Sequence, residues 1–121
     1  MSIATVYTNK PLAHVPREFQ GALTSLVQKG VEASREVVVV RVCSEENMTM
    51  GGNFHPCVFA TLETSAKLSP AKCVEVLSQL ENFLHSKLQV PTNRILIRLI
   101  PVEAHLSSYS SQQHHLNIVG S

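Results

Sequence analysis

A strand–loop–helix–strand pattern occurs twice in this chain, and this repetition constrains the possible folds more than any other feature of the sequence. The first copy spans residues 3–42 and the second spans residues 57–100. Parallel strands joined by a helix cross over with a right hand, so two such units can share one four-stranded mixed sheet with both helices on a single face. The sequence therefore predicts an α/β (α+β) fold built from a duplicated βαβ unit.

Each predicted helix carries an apolar stripe at helical spacing and a proline near its start. The first helix is predicted over residues 17–30, with Pro16 well placed for a first helical position. The second begins at Ser69 as the N-cap, followed by Pro70, and Pro91 ends it. The predicted apolar positions are Phe19, Leu23, Leu26, Val27 and Val31 in the first helix, and Val74, Leu77, Leu80, Phe83, Leu84 and Leu88 in the second.

The predicted strands are residues 3–8, 36–43, 57–64 and 94–101. The second of these is apolar on both faces instead of alternating, which is typical of a strand that is covered on two sides. With both helices on one face, the opposite face of the sheet is left uncovered. Because a contiguous apolar surface of several hundred Å² is unusual on a monomer, we expect other subunits to cover this face.

A chain of 121 residues can bury one core but not two, so we expect a single domain over 1–121, with its core at about residues 2–104. Residues 44–55 are predicted to form a loop, with a short extended piece at 48–50, in which Gly51 and Gly52 can take positive φ. The tail at about 105–121 is polar. We expect it either to lie on a neighbouring subunit or to be partly disordered.

The charges are nearly balanced, with 10 Lys and Arg against 9 Asp and Glu and a formal net charge of +1. They form no basic stripe that could neutralise a run of phosphates, so nucleic acid is not an expected partner. The N-terminus lacks the pattern of a signal peptide, and no window reaches the ~20 apolar residues of a membrane span. We expect a protein made in the cytosol, for which any extracellular role requires secretion by a non-classical route.

The three cysteines, Cys43, Cys57 and Cys73, are odd in number and widely spaced, which favours buried free thiols over a disulfide framework or a zinc knuckle. The adjacent pair His114 and His115 cannot easily converge on one metal ion without further ligands. We interpret the pair as part of a solvated tail, and we expect no metal or other cofactor.

Several short motifs occur in a set order along the chain. They are Thr8-Asn9 with Pro11, Val15-Pro16, Gly51-Gly52, Pro56-Cys57, and Arg94-Ile95-Leu96-Ile97-Arg98 with Pro101 and Glu103. With these motifs the chain resembles the tautomerase superfamily, and within it the branch of macrophage migration inhibitory factor and D-dopachrome tautomerase, over roughly residues 2–109 with little or no gapping. The last block of motifs is especially similar to D-dopachrome tautomerase.

The resemblance implies a homotrimer whose three sheets wrap into a barrel, with a pocket between subunits. In active members of the family the second encoded residue is a proline, which becomes N-terminal when the initiator methionine is removed. Its secondary amine is the catalytic base, because an amine in an apolar pocket loses its proton through desolvation. In this chain the position is Ser2. A freed serine amine is primary, with a reference pKa of about 7.7–8.0, and N-terminal acetylation would remove the base.

The resemblance also places six further residues at the substrate pocket. Ala33 stands where the family has a lysine that binds a substrate carboxylate, and Leu96 stands where the inhibitory-factor branch has a tyrosine. Ser65 replaces an isoleucine, and Tyr109 replaces the tryptophan of the aromatic wall. The six pocket positions are Ala33, Thr64, Ser65, Leu96, Arg98 and Tyr109.

Charged residues near the pocket leave alternatives open. Arg98 either lines the pocket as a carboxylate partner or pairs with a carboxylate across the subunit interface. Lys29 and Arg35 are candidates to replace the missing lysine. The family also suggests a redox CxxC motif beginning at Cys57, but Ala60 occupies the position of its second cysteine. We therefore expect no thiol–disulfide chemistry by that motif.

Two functions follow from this comparison of residues. The first is a cytokine-like signalling protein that acts through its trimeric surface on a cell-surface receptor or host protein, with lost or very weak tautomerase activity. The second is a working keto–enol tautomerase of the phenylpyruvate or dopachrome type, which binds a small aromatic keto–enol compound and uses the Ser2 α-amine as its base. An intracellular scaffold with no signalling role is a third possibility.

Overall fold

A computed structural model describes residues 1–106 and Ser108. The predicted elements occur in the predicted order. Four short 3₁₀ helices lie between or after the strands and α-helices of the described residues. They are Leu12–His14, Arg35–Val37, Thr92–Arg94 and Ala104–Leu106. The main elements are β1 (Ser2–Thr8), α1 (Phe19–Val31), β2 (Val38–Cys43), β3 (Val58–Thr64), α2 (Pro70–Leu88) and β4 (Ile95–Pro101).

The four strands form one mixed sheet in the order β2-β1-β3-β4. β1 runs parallel to β2 and β3 runs parallel to β4, while the two central strands, β1 and β3, are antiparallel. Each parallel pair is joined through a helix, and α1 and α2 pack against each other and against the sheet. The duplicated βαβ unit with both helices on one face is thus confirmed.

The two helices begin differently. Ser69 Oγ accepts a hydrogen bond from the backbone N–H of Lys72 at 3.1 Å, and Pro70 is the first residue of α2, so the predicted cap is confirmed. Pro16 was predicted at the first position of α1, and that prediction was wrong. Its carbonyl instead accepts the backbone N–H of Phe19 at 3.0 Å, which closes a turn before the helix begins.

The core lies between the helices and the sheet. In α2 the buried residues repeat every four positions, and Leu77 and Phe83 are only partly buried. The prediction that Val74 faces the core was wrong, because Val74 is 68% exposed while Val76 is fully buried. Two residues correspond to about 200° around a helix, so the two valines face opposite ways. The buried cluster comprises Ala4, Val6, Phe19, Leu23, Val27, Val31, Val58, Ala60, Leu62, Val76, Leu80, Leu84, Leu88 and Val90.

Alternate residues of each strand point away from the helices and form what we call the distal face of the sheet. The strand register arranges this face in three rows of four. The outer rows are mainly apolar, and Val39 and Leu96 are about half exposed at its two edges. The rows are Val39, Ile3, Glu63 and Ile100; Arg41, Thr5, Thr61 and Arg98; and Cys43, Tyr7, Phe59 and Leu96.

The middle row corrects the expectation of an apolar distal face. Arg41 and Arg98 are exposed at its two ends, and Thr5 and Thr61 lie between them. We call these four residues the arginine row. In the neighbouring row the rings of Tyr7 and Phe59 stack, with their centroids 5.8 Å apart.

The loop before β3 is held by side chains from outside it. Gly51 and Gly52 have φ values of +63° and +79°, as predicted, but the extended piece at 48–50 is reduced to an isolated bridge between Met50 and Asn53. Arg94 lies beneath this loop and donates hydrogen bonds to four of its carbonyls. The acceptors are Met50 O (3.1 Å), Asn53 O (3.5 Å), His55 O (2.9 Å) and Pro56 O (3.0 Å).

The three cysteines are free, although only Cys57 is buried and Cys43 and Cys73 are half-buried. Within residues 1–106, no helix is both long and apolar enough to cross a membrane. The tail residues from 109 onward, including Tyr109 and the pair His114 and His115, lie outside the described residues.

Candidate functional site at the start of the first strand

Ser2 is the first residue of β1 and its side chain is buried, with 2% exposure. Thr64, the last residue of β3, is its cross-strand partner. The Oγ of Ser2 and the Oγ1 of Thr64 lie 2.9 Å apart, and Thr64 Oγ1 also accepts the backbone N–H of Ala66 at 3.0 Å. The Ser2 hydroxyl is therefore turned into the protein and committed to a hydrogen bond.

Ser65 holds the residue that precedes Ser2. The N-terminal amine of Met1 donates to Ser65 Oγ at 2.9 Å, and the Ser65 backbone N–H donates to the carbonyl oxygen of Met1 at 3.1 Å. Ser65 Oγ also lies 3.3 Å from the same carbonyl oxygen. One serine thus contacts both polar groups of the Met1 backbone, an arrangement that we call the Met1–Ser65 clasp.

A small cavity of about 210 Å³ lies close to these residues, between the ends of β3 and β4 and the start of α2. Thr64 lines the cavity and is also the hydrogen-bond partner of the Ser2 hydroxyl. Its lining is mostly apolar and includes the Cys73 thiol, whose Sγ lies 4.0 Å from the Leu68 carbonyl. The lining residues are Thr64, Ala66, Leu68, Cys73, Leu99 and Pro101.

Ala33 lies between α1 and the 3₁₀ helix that leads into β2, and it packs partly buried against the core. The first residue of β2, Val38, is the parallel partner of Ser2, so the chain after Ala33 approaches the Ser2 end of β1. A methyl side chain supplies no charge. The two candidate replacements lie elsewhere: Arg35 donates to Ser25 Oγ at 3.0 Å on α1, and Lys29 lines an open groove between the two helices.

Leu96 and Arg98 do not lie beside Ser2 in the single chain. Both are on β4 and face the distal side of the sheet, whereas the Ser2 side chain faces the helices. The structure therefore brings together Ser2, Thr64 and Ser65 from the predicted set, and it places Leu96 and Arg98 on the opposite face. The predicted wall residue Tyr109 is outside the described residues.

The residues at the start of β3 have structural contacts. The Cys57 backbone N–H donates to Asn9 Oδ1 at 3.0 Å, and its carbonyl accepts the Thr8 hydroxyl at 2.9 Å. Ala60, at the second position of the expected CxxC motif, is part of the core. These contacts tie β3 to the turn after β1.

Residues 1–111 match the family model described as macrophage migration inhibitory factor (MIF). The chain belongs to the MIF family. Its sequence is 27% identical over 100 residues to a macrophage migration inhibitory factor homolog of Trichinella spiralis, covering 83% of this chain and 88% of that protein.

Solved structures of MIF proteins share the fold. The macrophage migration inhibitory factor of Oncomelania hupensis superposes with a TM-score of 0.86 at 37% identity, covering 90% of this chain and 93% of that one. A homologue from Prochlorococcus marinus gives a TM-score of 0.82 at 19% identity, covering 89% of this chain and 95% of the other, and shows likeness of fold alone. The MIF fold inferred from the motifs is therefore confirmed.

The sequence and its family resemblance point to Ser2 and Ser65 but not to the Met1–Ser65 clasp, because a bond between residues 1 and 65 depends on the pairing of β1 with β3. They also do not point to Arg41 as the counterpart of Arg98. The signal for Arg41 was present as the single charge inside an otherwise apolar strand, but its partner could be assigned only once the strand order was known.

Proposed function

We propose that this chain is a cytokine-like signalling protein of the MIF family that acts as a homotrimer and has lost, or nearly lost, tautomerase activity. The observation that carries the proposal is that Ser2 begins β1 with its hydroxyl buried against Thr64. The family resemblance assigns the catalytic proline to this position. MIF family members include known tautomerases, and we infer that Ser2 replaces the proline base that they use.

The chemistry of the N-terminal amine supports this proposal. Once Met1 is removed, Ser2 has a primary α-amine whose reference pKa of about 7.7–8.0 leaves it mainly protonated at pH 7 unless desolvation in the pocket lowers that pKa. A protonated amine cannot accept a proton from the carbon of a keto–enol substrate. The Ser2 hydroxyl cannot readily take its place, because it is bound to Thr64 at 2.9 Å.

The proposed pocket has also lost polar groups that hold a substrate. Ala33 offers no cation for a carboxylate, and Leu96 offers no hydroxyl. Arg98 is the charged group left in the predicted set, and it projects from the distal face. Weak recognition of the substrate would thus add to the weak base.

The homotrimer is supported by the distal face and by the unpaired edges of the sheet. Val39 and Leu96 are 48% and 47% exposed in the single chain, and β2 and β4 have no further strand beside them among the described residues. Neighbouring copies would cover the apolar side chains and could pair with these edges. They would also allow Leu96 and Arg98 of one copy to approach Ser2 of another.

A working keto–enol tautomerase is the second candidate function, and the Met1–Ser65 clasp favours it. Removal of Met1 would free the Ser65 backbone N–H and hydroxyl, two donors beside the new Ser2 amine. Donors of this kind stabilise the negative charge that develops on an enolate oxygen. In this case a small aromatic keto–enol compound would bind between subunits, with Arg98 as its carboxylate partner.

A phenylpyruvate tautomerase assay separates the two functions when the mature N-terminus is first defined by mass spectrometry. We expect the chain that begins with a free Ser2 amine to convert phenylpyruvate at a rate close to that of buffer. Turnover far above buffer that is abolished by acetylation of the Ser2 amine would contradict the proposal and establish the tautomerase. Turnover that survives acetylation would also contradict the proposal, but it would assign the chemistry to another group.

The proposed signalling role requires the protein to be present both in the cytoplasm and outside the cell. It would leave the cell by a non-classical route and bind a receptor or host protein. Measurement of the protein in medium from intact cells, with a cytosolic enzyme as the leakage control, tests the export. Detection only in proportion to the leaked enzyme would contradict it.

A further inference from the structure

We propose that the arginine row binds a tetrahedral oxoanion of the phosphate or sulfate class on the distal face of the sheet. The strand register places Arg41 beside Thr5, Thr5 beside Thr61, and Thr61 beside Arg98. The four side chains therefore lie in one line across the sheet, with a guanidinium at each end and two hydroxyl groups between them.

The two arginines lack carboxylate partners in the described part of the chain. The ion pairs there join Lys72 to Glu75 and Lys87 to Glu18, and neither includes Arg41 or Arg98. The sequence after Leu106 contains no Asp or Glu side chain that could pair with them. Within the described residues, therefore, neither guanidinium is engaged in an ion pair.

The charge of the distal face is positive. Its acidic residue is Glu63, which lies opposite Ile100 in the neighbouring row, two positions along β3 from Thr61. Two arginines and one glutamate give a net charge of +1 for this face (2 − 1 = +1). An anion bound in the row would compensate this charge.

The dimensions and donors of the row suit a tetrahedral anion. Three spacings of about 4.8 Å separate β2 from β4, so the row spans about 14 Å, and the long arginine side chains can lean inward from its ends. A guanidinium donates two parallel hydrogen bonds to an oxoanion. Thr5 is 7% exposed, so its hydroxyl lies at the floor of the row, where it can donate to a third oxygen.

An anion bound at this site would affect assembly of the proposed trimer, although binding does not require the trimer. Copies that bring their distal faces together also bring positive charges together, which opposes assembly. A bound anion would reduce this repulsion, so phosphate is expected to favour association. Binding to the row itself requires only one chain.

Calorimetric titration with sodium phosphate at constant ionic strength tests the site in the wild-type protein and in Arg41→Gln and Arg98→Gln. We expect saturable binding to the wild type, a rise in Tm of about 5 °C at saturating phosphate, and at least about tenfold weaker binding in either variant. Arg17→Gln is the matched control, because Arg17 is an exposed arginine in the turn before α1, and it should bind phosphate like the wild type. Sulfate should compete, and acetate should not.

No saturable phosphate binding by the wild type would overturn the site, as would equal binding by wild type, Arg41→Gln and Arg98→Gln. Competition by acetate as strong as by sulfate would overturn its assignment to a tetrahedral anion. Sedimentation of the same samples keeps this result separate from the trimer: a monomer that binds phosphate through both arginines supports the site and contradicts the proposed assembly.

Discussion

The Ser2 Oγ and the Thr64 Oγ1 lie 2.9 Å apart across the antiparallel pair of central strands, and Ser2 and Thr64 are only 2% and 3% exposed. This bond fixes the side chain of Ser2 toward the helices. It occurs at the position where active relatives are expected to have a proline, which has no side-chain hydroxyl. The start of β1 therefore has a structural role in this chain.

Loss of the Thr64 hydroxyl should cost more stability than loss of the Ser2 hydroxyl. Ser2→Ala leaves Thr64 Oγ1 with its bond from Ala66, so we expect a loss of about 1 kcal/mol in the free energy of unfolding. Thr64→Val leaves both Ser2 Oγ and the Ala66 N–H without this partner and should cost about 2–3 kcal/mol. Urea unfolding measures both losses, and equal costs would contradict the assigned network.

The Met1–Ser65 clasp should protect Met1 from removal in the folded protein. Ser65→Ala deletes the Oγ that accepts from the Met1 amine, so a broad-specificity aminopeptidase should release Met1 up to about tenfold faster. Mass spectrometry of a time course on Met1-containing protein measures the rate. Lys67→Ala, at an exposed residue nearby in sequence, is the control and should leave the rate unchanged. An unaltered rate in Ser65→Ala would argue against the clasp.

Arg94 should help to order the loop around Gly51 and Gly52, together with Asn9, which donates to the Phe54 and His55 carbonyls. Arg94→Lys keeps the charge but loses the planar guanidinium that donates to four carbonyls. The loop should therefore be less ordered in this variant than in the wild type. We expect a loss of about 1–3 kcal/mol and faster amide hydrogen exchange confined to residues 50–57. Wild-type exchange rates there in Arg94→Lys would show that the bonds to the carbonyls do not hold the loop.

Val74 and Val76 form a matched pair that tests the orientation of α2. Val76 is fully buried, and its Cγ2 lies 3.2 Å from the position that a Cβ on Gly30 would occupy, so Val76→Ala removes packing between the helices. It should cost about 2 kcal/mol, whereas Val74→Ala should stay within about 0.5 kcal/mol of wild type. The reverse order of costs in denaturant unfolding would mean that α2 is rotated.

Much of the fold could be predicted from sequence because its determinants are local. Ser69 and Pro70 define the start of α2, and the repeated strand–helix–strand pattern fixes the crossover of each half. The errors also have local causes. The sequence predicts too early a start for α1 because Pro16 closes a turn just before the helix. It also predicts Val74 in the core, although this apolar residue lies on the solvent side of α2.

The candidate site could be predicted only in part, because its groups come from distant parts of the sequence. The resemblance to the family named Ser2, Thr64 and Ser65, and the pairing of β1 with β3 brings them together. Leu96 and Arg98 lie on the other face, and no local pattern in the sequence reveals this separation. The arginine row likewise depends on the strand order β2-β1-β3-β4.

We propose above that the chain lacks an effective base for tautomerisation because residue 2 is serine. The most direct test of this claim is the variant Ser2→Pro. In the mature variant the proline amine is secondary and N-terminal, and it replaces a side chain whose hydroxyl is bound to Thr64. Phenylpyruvate tautomerisation should be compared in the wild type and in Ser2→Pro, with both N-termini verified by mass spectrometry.

We expect turnover near that of buffer for the wild type and a gain of at least about 100-fold for Ser2→Pro, the range typical of general base catalysis. A wild type as active as Ser2→Pro would contradict the claim. If the folded Ser2→Pro protein is as inactive as the wild type, the claim also fails, because the loss of activity would then lie in the pocket around Ala33 and Leu96 and not in the base at position 2.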